Sequence, residues 1–287
     1  MIEFIASRSI WVYKVNGQIV MRSKDRSKLE AKVSAEYGNT FSSGSVAMEM
    51  PKSEFTVSER FDFIAEFTRL VARNIIPSLV VTGSGGLGKT HTVTETLKQM
   101  GKVEDSIGSN GKSDFLIVSG YSTPRNLYTT LYHNNGKIVV FDDCDSAFKD
   151  AIGACIFKAA LDSKEKRVIS WGAESKDDEV PSRFEFTGKV IFISNLPISK
   201  FPQAILSRSM LADITLTSDE KIERIEQIFM TEKQFDKDDK KEVLNFIRTN
   251  AHKFKDLNIR SAYNCLKMKM AIGNNWERMS LYSATLN

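Results

Sequence analysis

The chain has 287 residues, of which 41% are apolar and 26% are charged, and its formal net charge is +4. This composition is typical of a globular protein that holds one large domain and a smaller one. No apolar run approaches the roughly 20 residues that a membrane-spanning helix needs, and the mildly positive charge permits a nucleic-acid partner without requiring one.

The cysteines and the N-terminal residues indicate where in the cell the protein is expected. The three cysteines are widely spaced and odd in number, which favours neither a disulfide framework nor a paired-cysteine metal site. Glu3 and Arg8 interrupt the apolar N-terminus, so it lacks the layout of a signal peptide. We therefore expect a soluble cytoplasmic protein without a membrane partner, located in the host cytoplasm if a phage encodes it.

Residues 1–50 are predicted to form a small N-terminal appendage. The stretch "WVYKVNGQIVM" alternates around Asn16-Gly17, which indicates a two-residue β-hairpin turn. A helix is predicted to follow and to end at Gly38. The serine- and glycine-containing stretch after that helix is typical of a linker.

Residues 51–217 alternate between helical and strand-like segments. A helix is predicted from about residue 56 to 73, with Thr56 and Glu59 as a capping box. Crossover helices fit segments such as "TVTETLKQM" and "SAFKDAIGACIFKAALDS", and strands that alternate with them predict a parallel sheet covered on both faces. The predicted strands are "SLVVT" (78–82), "FLIVSG" (115–120), "KIVVFDD" (137–143), "KVIFISN" (189–195) and "ADITL" (212–216).

Residues 218–287 contain no strand-like run. Three segments, "SDEKIERIEQIFM", "KKEVLNFIRTNAHKF" and "NIRSAYNCLKMKMAI", have helical spacing of their apolar residues. They predict a small helical domain at the C-terminus.

The stretch "GSGGLGKT" lies between the first of these strands and a predicted helix. It satisfies the pattern GxxxxGK[ST] in full. Glycines allow successive backbone N–H groups to point at phosphate oxygens, and the helix N-terminus adds the positive end of its dipole. Lys89 would reach the β- and γ-phosphates of a nucleotide, and Thr90 would ligate Mg²⁺. The predicted nucleotide-binding residues are Gly83, Ser84, Gly85, Gly86, Leu87, Gly88, Lys89 and Thr90, followed by His91 on the first helical turn.

Two acids end another buried strand, in "KIVVFDDCD". Asp142 is predicted to hold the water shell of the metal ion, and Asp143 to act as the general base that polarises an attacking water. An acidic strand end is common, but its place after a complete glycine-rich motif makes it specific. Asp145 is predicted to cap the next helix rather than to serve as a third catalytic acid.

Three more polar residues follow. Asn195 ends the strand "KVIFISN", where a neutral side chain could orient water beside the γ-phosphate. Arg208, in "AILSRSM", could neutralise transition-state charge in a neighbouring subunit. Arg260, in "NIRSAYNC", is predicted to begin a helix of the C-terminal domain. Alone, each could be an ordinary strand end or surface residue.

The order of these elements resembles the AAA+ ATPase family over residues 52 to 287. Residues 83–90 match Walker A, Asp142 and Asp143 match Walker B, Asn195 matches sensor 1, Arg208 the arginine finger and Arg260 sensor 2. The resemblance implies an α/β fold, a five-stranded parallel P-loop αβα sandwich with a C-terminal helical lid. It also implies ATP and Mg²⁺ as cofactors, and a ring or spiral of identical subunits, most simply a hexamer.

Two departures from the family pattern are informative. Most of the family has glutamate where this chain has Asp143; the shorter acid is found in the replication-initiator and helicase-loader branches. The loop at 83–90 also lacks the proline that is frequent in the family, and in this respect it is closer to signalling NTPases.

The stretch between the Walker B region and "KVIFISN" is long enough for an inserted hairpin with "RVISW" and "RFEF" as its arms. A hairpin here resembles those that superfamily 3 helicases and some AAA+ motors direct into a central channel. Lys164, Lys166, Arg167 and Trp171 would then supply phosphate contacts and a stacking surface. The alternative is a solvated loop with its tryptophan packed on the domain. Tyr121 is more simply part of a turn than a channel-lining residue.

We therefore expect an AAA+ ATPase that drives remodelling or loading in DNA replication or DNA metabolism, encoded by a phage or plasmid. Single-stranded DNA and a replication protein are the expected partners, the latter recruited by the N-terminal appendage. One alternative is a superfamily 3-like helicase that translocates on single strands, although a lid carrying Arg260 is unusual there. The other is a protein remodeller or signalling NTPase that does not bind DNA.

Overall fold

In the computed structural model, the chain folds as two compact units, Met1–Lys52 and Ser53–Asn287. The predicted division between nucleotide domain and lid, at residue 217, falls inside the second unit. The structure describes residues 2–5, 10–15, 18–25, 28–29, 32, 53–105, 112–120, 122–172 and 180–286.

The first unit contains an antiparallel sheet of three strands in the order β1-β2-β3. These are β1 (Ile2–Ile5), β2 (Ile10–Val15) and β3 (Gln18–Ser23). Val15 pairs with Gln18, as a two-residue connection requires. The predicted Asn16-Gly17 turn itself, most of the predicted helix and the linker lie outside the described residues, and β1 was not predicted.

The second unit begins with helix α1 (Val57–Ala72). Thr56 caps it, and Glu59 completes the capping box that the sequence predicts. The strands that follow are β4 (Ser78–Gly83), β5 (Phe115–Ser119), β6 (Ile138–Asp142), β7 (Val168–Ser170), β8 (Arg183–Glu185), β9 (Lys189–Ile193) and β10 (Met210–Ile214). Between them lie α2 (Lys89–Gln99), α3 (Pro124–His133), α4 (Ser146–Lys149), α5 (Ala151–Ala160) and α6 (Gln203–Leu206).

Five of these strands form one parallel sheet in the order β10-β4-β9-β6-β5. The α/β class and the all-parallel sheet are therefore as predicted. In the register of the sheet, Val81 of β4 and Asp142 of β6 both pair with Ile193 of β9. The carboxyl ends of these three strands consequently lie level, and the loops that follow them meet at one edge.

Alternate strand residues cover the two faces of the sheet, since successive side chains point to opposite sides. On one face, Phe141 and Phe192 pack with Phe157 of α5, with ring centroids 4.9–6.0 Å apart. On the other face, Leu79 and Val81 pack beneath α1 and α2. Burial on both faces explains why these strands are continuously apolar.

The segment after β6 forms two helices rather than one. Asp150 accepts hydrogen bonds from the N–H groups of Ile152 and Gly153, so it caps α5 and ends α4. A Cβ at Gly153 would lie 2.3 Å from the carbonyl oxygen of Ala147, which makes glycine necessary at this break. A propensity argument alone does not place such a break.

The C-terminal part is helical, as predicted, and has its own core. It consists of α7 (Ser218–Thr231), α8 (Lys237–Asn250), α9 (Ile259–Ile272) and α10 (Trp276–Leu286), of which α10 was not predicted. Ile225, Ile247, Leu266 and Trp276, one from each helix, are buried together. In the described part of the chain, every helix is too short or too polar to cross a bilayer.

Candidate nucleotide site

The glycine-rich loop, Gly83–Thr90, connects β4 to α2. Gly83, Gly86 and Gly88 have φ angles of +130°, +66° and +93°, a region that favours glycine. A Cβ at Gly83 would lie 2.3 Å from the carbonyl oxygen of Ile214, so this position admits no side chain. Gly88, the N-cap of α2, has no side chain to satisfy the first N–H groups of the helix. Those groups are left for an anionic ligand.

Lys89 is almost fully buried, at 5% exposure. Its Nζ donates hydrogen bonds to the carbonyl oxygens of Gly83 (2.7 Å) and Ser84 (2.8 Å) and to Oδ1 of Asn195 (2.9 Å). Burial lowers the pKa of Lys89 to about 8, although the carboxylates of Asp143 and Asp142 oppose the shift. The lysine is thus a partly desolvated cation held against the loop.

Thr90 and Asp142 form the oxygen-rich part of the site. The hydroxyl of Thr90 donates to both carboxylate oxygens of Asp142, each at 3.1 Å. Burial raises the pKa of Asp142, while the hydroxyl of Thr90 lowers it. A hydroxyl and a carboxylate side by side are hard-oxygen ligands of the kind that Mg²⁺ prefers.

Asp143 is exposed and has a left-handed backbone, with φ of +54°. Its N–H donates to the carbonyl of Ile193 at 2.9 Å, and its Oδ1 accepts from Nδ2 of Asn195 at 2.8 Å. Asn195 therefore bridges Lys89 and Asp143. A non-glycine residue in this region costs free energy, and such residues are concentrated at functional sites.

These groups face one cavity of about 230 Å³. Arg260, at the start of α9, and the exposed His91 also line it, so the loop, both acids, Asn195 and the C-terminal helices share one site. Four residues of the loop do not line the cavity: Gly83, Ser84, Gly85 and Leu87. The side chain of Leu87 is fully buried in the core.

Arg208 does not line this cavity. It lies between α6 and β10, and its backbone carbonyl accepts a hydrogen bond from the hydroxyl of Ser78, at the start of β4. Its guanidinium donates to the carbonyl of Ala204 at 2.8 Å. About 17 Å of strand separate this end of β4 from the glycine-rich loop, so Arg208 lies far from this cavity.

The predicted insertion between α5 and β9 contains a hairpin, β7 paired with β8. Arg167 donates to the carbonyls of Ala160 and Gly188, and its guanidinium lies over the ring of Phe186. Trp171 packs beside Tyr128, with ring centroids 5.7 Å apart. These two side chains hold the hairpin to the domain, which favours the packed-tryptophan alternative for them. Tyr121 lies outside the described residues.

Two residues that the sequence did not single out contact the glycine-rich loop. Asn258 caps α9 and lies against Gly86, and the N–H of the next residue, Ile259, donates to the carbonyl of Gly86 at 2.9 Å. Arg224 of α7 stacks over Phe61, 3.6 Å from the ring centroid, and its Nε approaches the carbonyl of Leu87 at 3.4 Å. An asparagine before a predicted helix indicates an N-cap, so Asn258 could have been identified from the sequence. No sequence pattern indicates that Arg224 contacts the loop.

No family model matches the chain. The chain is 24% identical over 253 residues to an uncharacterized 36.7 kDa protein in the nrdC-mobD intergenic region of Enterobacteria phage T4. The aligned region spans 80% of this chain and 75% of the phage protein.

The environment of Lys89 predicts an unusual titration. We expect its ¹³Cε resonance in lysine-labelled protein to titrate with a midpoint near the pKa of about 8. Asp143→Asn should lower this midpoint, because it removes a carboxylate that stabilises the ammonium ion. Since the folded pKa is below the unfolded value, this group should increase stability as the pH rises from about 8 to about 10.5. A midpoint at the ordinary lysine value would contradict the buried position.

Proposed function

We propose that this protein is an AAA+-type ATPase that binds ATP with Mg²⁺ at the carboxyl edge of its parallel P-loop sheet. The observation that supports this best is the convergence of Lys89, the Thr90–Asp142 pair and the Asn195–Asp143 pair on one cavity. Backbone donors, a lysine and two acids with distinct surroundings are the groups that phosphoryl transfer needs.

The donor set fits a magnesium ion that is bound together with a nucleotide. No group of three or more His, Cys, Asp or Glu side chains in the described ranges could hold a metal by itself. Mg²⁺ commonly takes one or two protein oxygens and completes its shell with phosphate oxygens and water. Thr90 and Asp142 would hold it, and the bound ion would neutralise phosphate charge.

The remaining side chains take roles in the attack of water on the γ-phosphorus. The carboxylate of Asp143 accepts the proton of the attacking water, and ADP and phosphate leave. Asn195, already hydrogen-bonded to Asp143, orients that water. Lys89 and Arg260 bind phosphate oxygens, and the N-terminal amides of α2 bind the phosphate chain.

The reaction would be completed between subunits. Because Arg208 lies at the opposite end of the sheet from the cavity, a ring or spiral of identical chains would present it to a neighbour's γ-phosphate. An arginine supplied in trans can contribute about 10³-fold or more to the rate, so an isolated subunit would hydrolyse ATP slowly.

We further propose that ATP hydrolysis drives remodelling or loading on DNA during replication. The net charge of +4 and the exposed residues Lys164 and Lys166, just before β7, support this proposal. The ammonium group of Lys164 lies 3.9 Å from the carboxylate of Asp162. The similarity to a phage protein is in keeping with a phage-encoded factor. The packed positions of Arg167 and Trp171 leave these lysines as the candidates for phosphate contacts.

Lys89→Ala should reduce the affinity for MgATP about 100-fold, because the phosphates lose a charge-assisted hydrogen bond. Titration calorimetry would measure the affinity, and a thermal melt would verify that the variant is folded. Lys98→Ala is the matched control, since Lys98 is on the same helix but pairs with Glu104 at 3.1 Å. Retained binding by Lys89→Ala would exclude the nucleotide assignment.

Arg208→Ala should bind ATP normally and lose most of its turnover. A mixture of Arg208→Ala and Lys89→Ala should regain activity, since some mixed interfaces pair an intact lysine with an intact arginine. Steady-state phosphate release would measure this at a fixed total concentration. Absence of recovery in mixtures that demonstrably co-assemble would argue against the shared site.

Lys164→Ala combined with Lys166→Ala should weaken single-stranded DNA binding. If both lysines contact phosphates, the negative slope of log affinity against log salt should become less steep by about 1.4. Lys233→Ala combined with Lys237→Ala removes the same charge from another exposed region and should leave the slope unchanged. Fluorescence anisotropy at several salt concentrations would measure the affinity and the slope for each variant. A wild-type protein without DNA affinity would favour the protein-remodelling alternative.

A further inference from the structure

Ser194, the residue before Asn195, is fully buried. Its hydroxyl donates to Oδ1 of Asp145 at 2.6 Å and accepts from the N–H of Leu196 at 3.0 Å. Its own N–H donates to the carbonyl of Val81. The backbone on both sides of Asn195 is therefore held by one serine, whose hydroxyl proton is directed at one carboxylate.

Asp145 does not have the role that its position suggests. It is the N-cap residue of α4, yet its side chain makes no hydrogen bond to that helix. Asp145 therefore occupies the predicted N-cap position, but its side chain does not cap the helix. Its Oδ1 instead reaches across to the loop after β9 and accepts from Ser194. The reason is the sheet order, which places β9 next to β6 and brings the two loops together.

We propose that Asp145 is a positioning residue that fixes the Asn195 side chain, and through it Asp143, by way of Ser194. Three hydrogen bonds join the two loops: Asp143 N to Ile193 O, Asn195 Nδ2 to Asp143 Oδ1, and Ser194 Oγ to Asp145 Oδ1. Of the two side-chain bonds, the one between Ser194 and Asp145 is the more buried, because Ser194 is fully enclosed. Its effect on turnover rests on the proposed ATPase function; its effect on the Asn195 side chain does not.

Loss of Asp145 would leave a buried hydroxyl without its acceptor. The hydroxyl would then rotate or admit water, and the turn that contains Asn195 would relax. Asn195 makes contacts in two directions, accepting from Lys89 and donating to Asp143. A small displacement would therefore disturb both contacts, and a misplacement of about 1 Å can cost up to about 100-fold in rate.

The kinetic test uses Asp145→Ala, Ser194→Ala and the double variant in the full-length protein. We expect kcat to fall about 10- to 100-fold with little change in KM, and the double variant to be no slower than either single variant. Asp145→Asn retains an acceptor oxygen and should restore most of the activity. Fully additive losses, or no loss in Asp145→Ala, would overturn the proposal.

Asp150→Ala is the matched control, because the side chain of Asp150 accepts hydrogen bonds from the first N–H groups of α5. It should lower the melting temperature by about 2–4 °C while leaving kcat unchanged. If Asp145→Ala behaves in the same way, Asp145 has only a structural role and the proposal is wrong.

A second measurement of the positioning role does not depend on ATP hydrolysis. The side-chain amide ¹⁵N–¹H signals of Asn195, identified by their loss in Asn195→Asp, should shift in Asp145→Ala and in Ser194→Ala but not in Asp150→Ala. Unchanged signals would refute the positioning role even if the protein is an ATPase. Shifted signals in a protein that does not bind ATP would refute the proposed function and leave the positioning role intact.

Discussion

The site depends on two hydrogen bonds made by the side-chain amide of Asn195. The amide accepts a hydrogen bond from Lys89 and donates one to Asp143, so it joins the glycine-rich loop to the two acids after β6. This link exists only because β9 lies between β4 and β6 in the sheet. If β6 were directly beside β4, Asn195 could not lie between the lysine and the acid.

The same loop is held from its other side by the C-terminal helices. The N–H of Ile259 binds the carbonyl of Gly86, and Arg224 approaches the carbonyl of Leu87 while it stacks on Phe61. The ion pair between the buried Arg60 and the partly buried Glu220 ties the start of α7 to α1. A movement of these helices would therefore change the backbone of the loop, and a ligand in the loop would affect the helices.

The sequence predicts the parallel sheet, because its strands are continuously apolar and alternate with helices. It also predicts the charged and amide side chains that line the cavity, since each lies near the end of a strand or the start of a helix. Other features depend on tertiary contacts that no local pattern encodes. The bond between Asp145 and Ser194 requires two loops 49 residues apart to be neighbours, and Arg224 reaches the loop across a gap of 137 residues.

The shorter acid at position 143 is compatible with its backbone. Among non-glycine residues, aspartate and asparagine adopt left-handed conformations far more readily than longer side chains, because their short polar groups can bond locally. The φ angle of +54° at Asp143 turns its carboxylate toward Asn195. A glutamate would gain one methylene of reach but would occupy this conformation at a greater cost. The left-handed backbone and the short side chain together place this carboxylate within hydrogen-bond distance of Asn195.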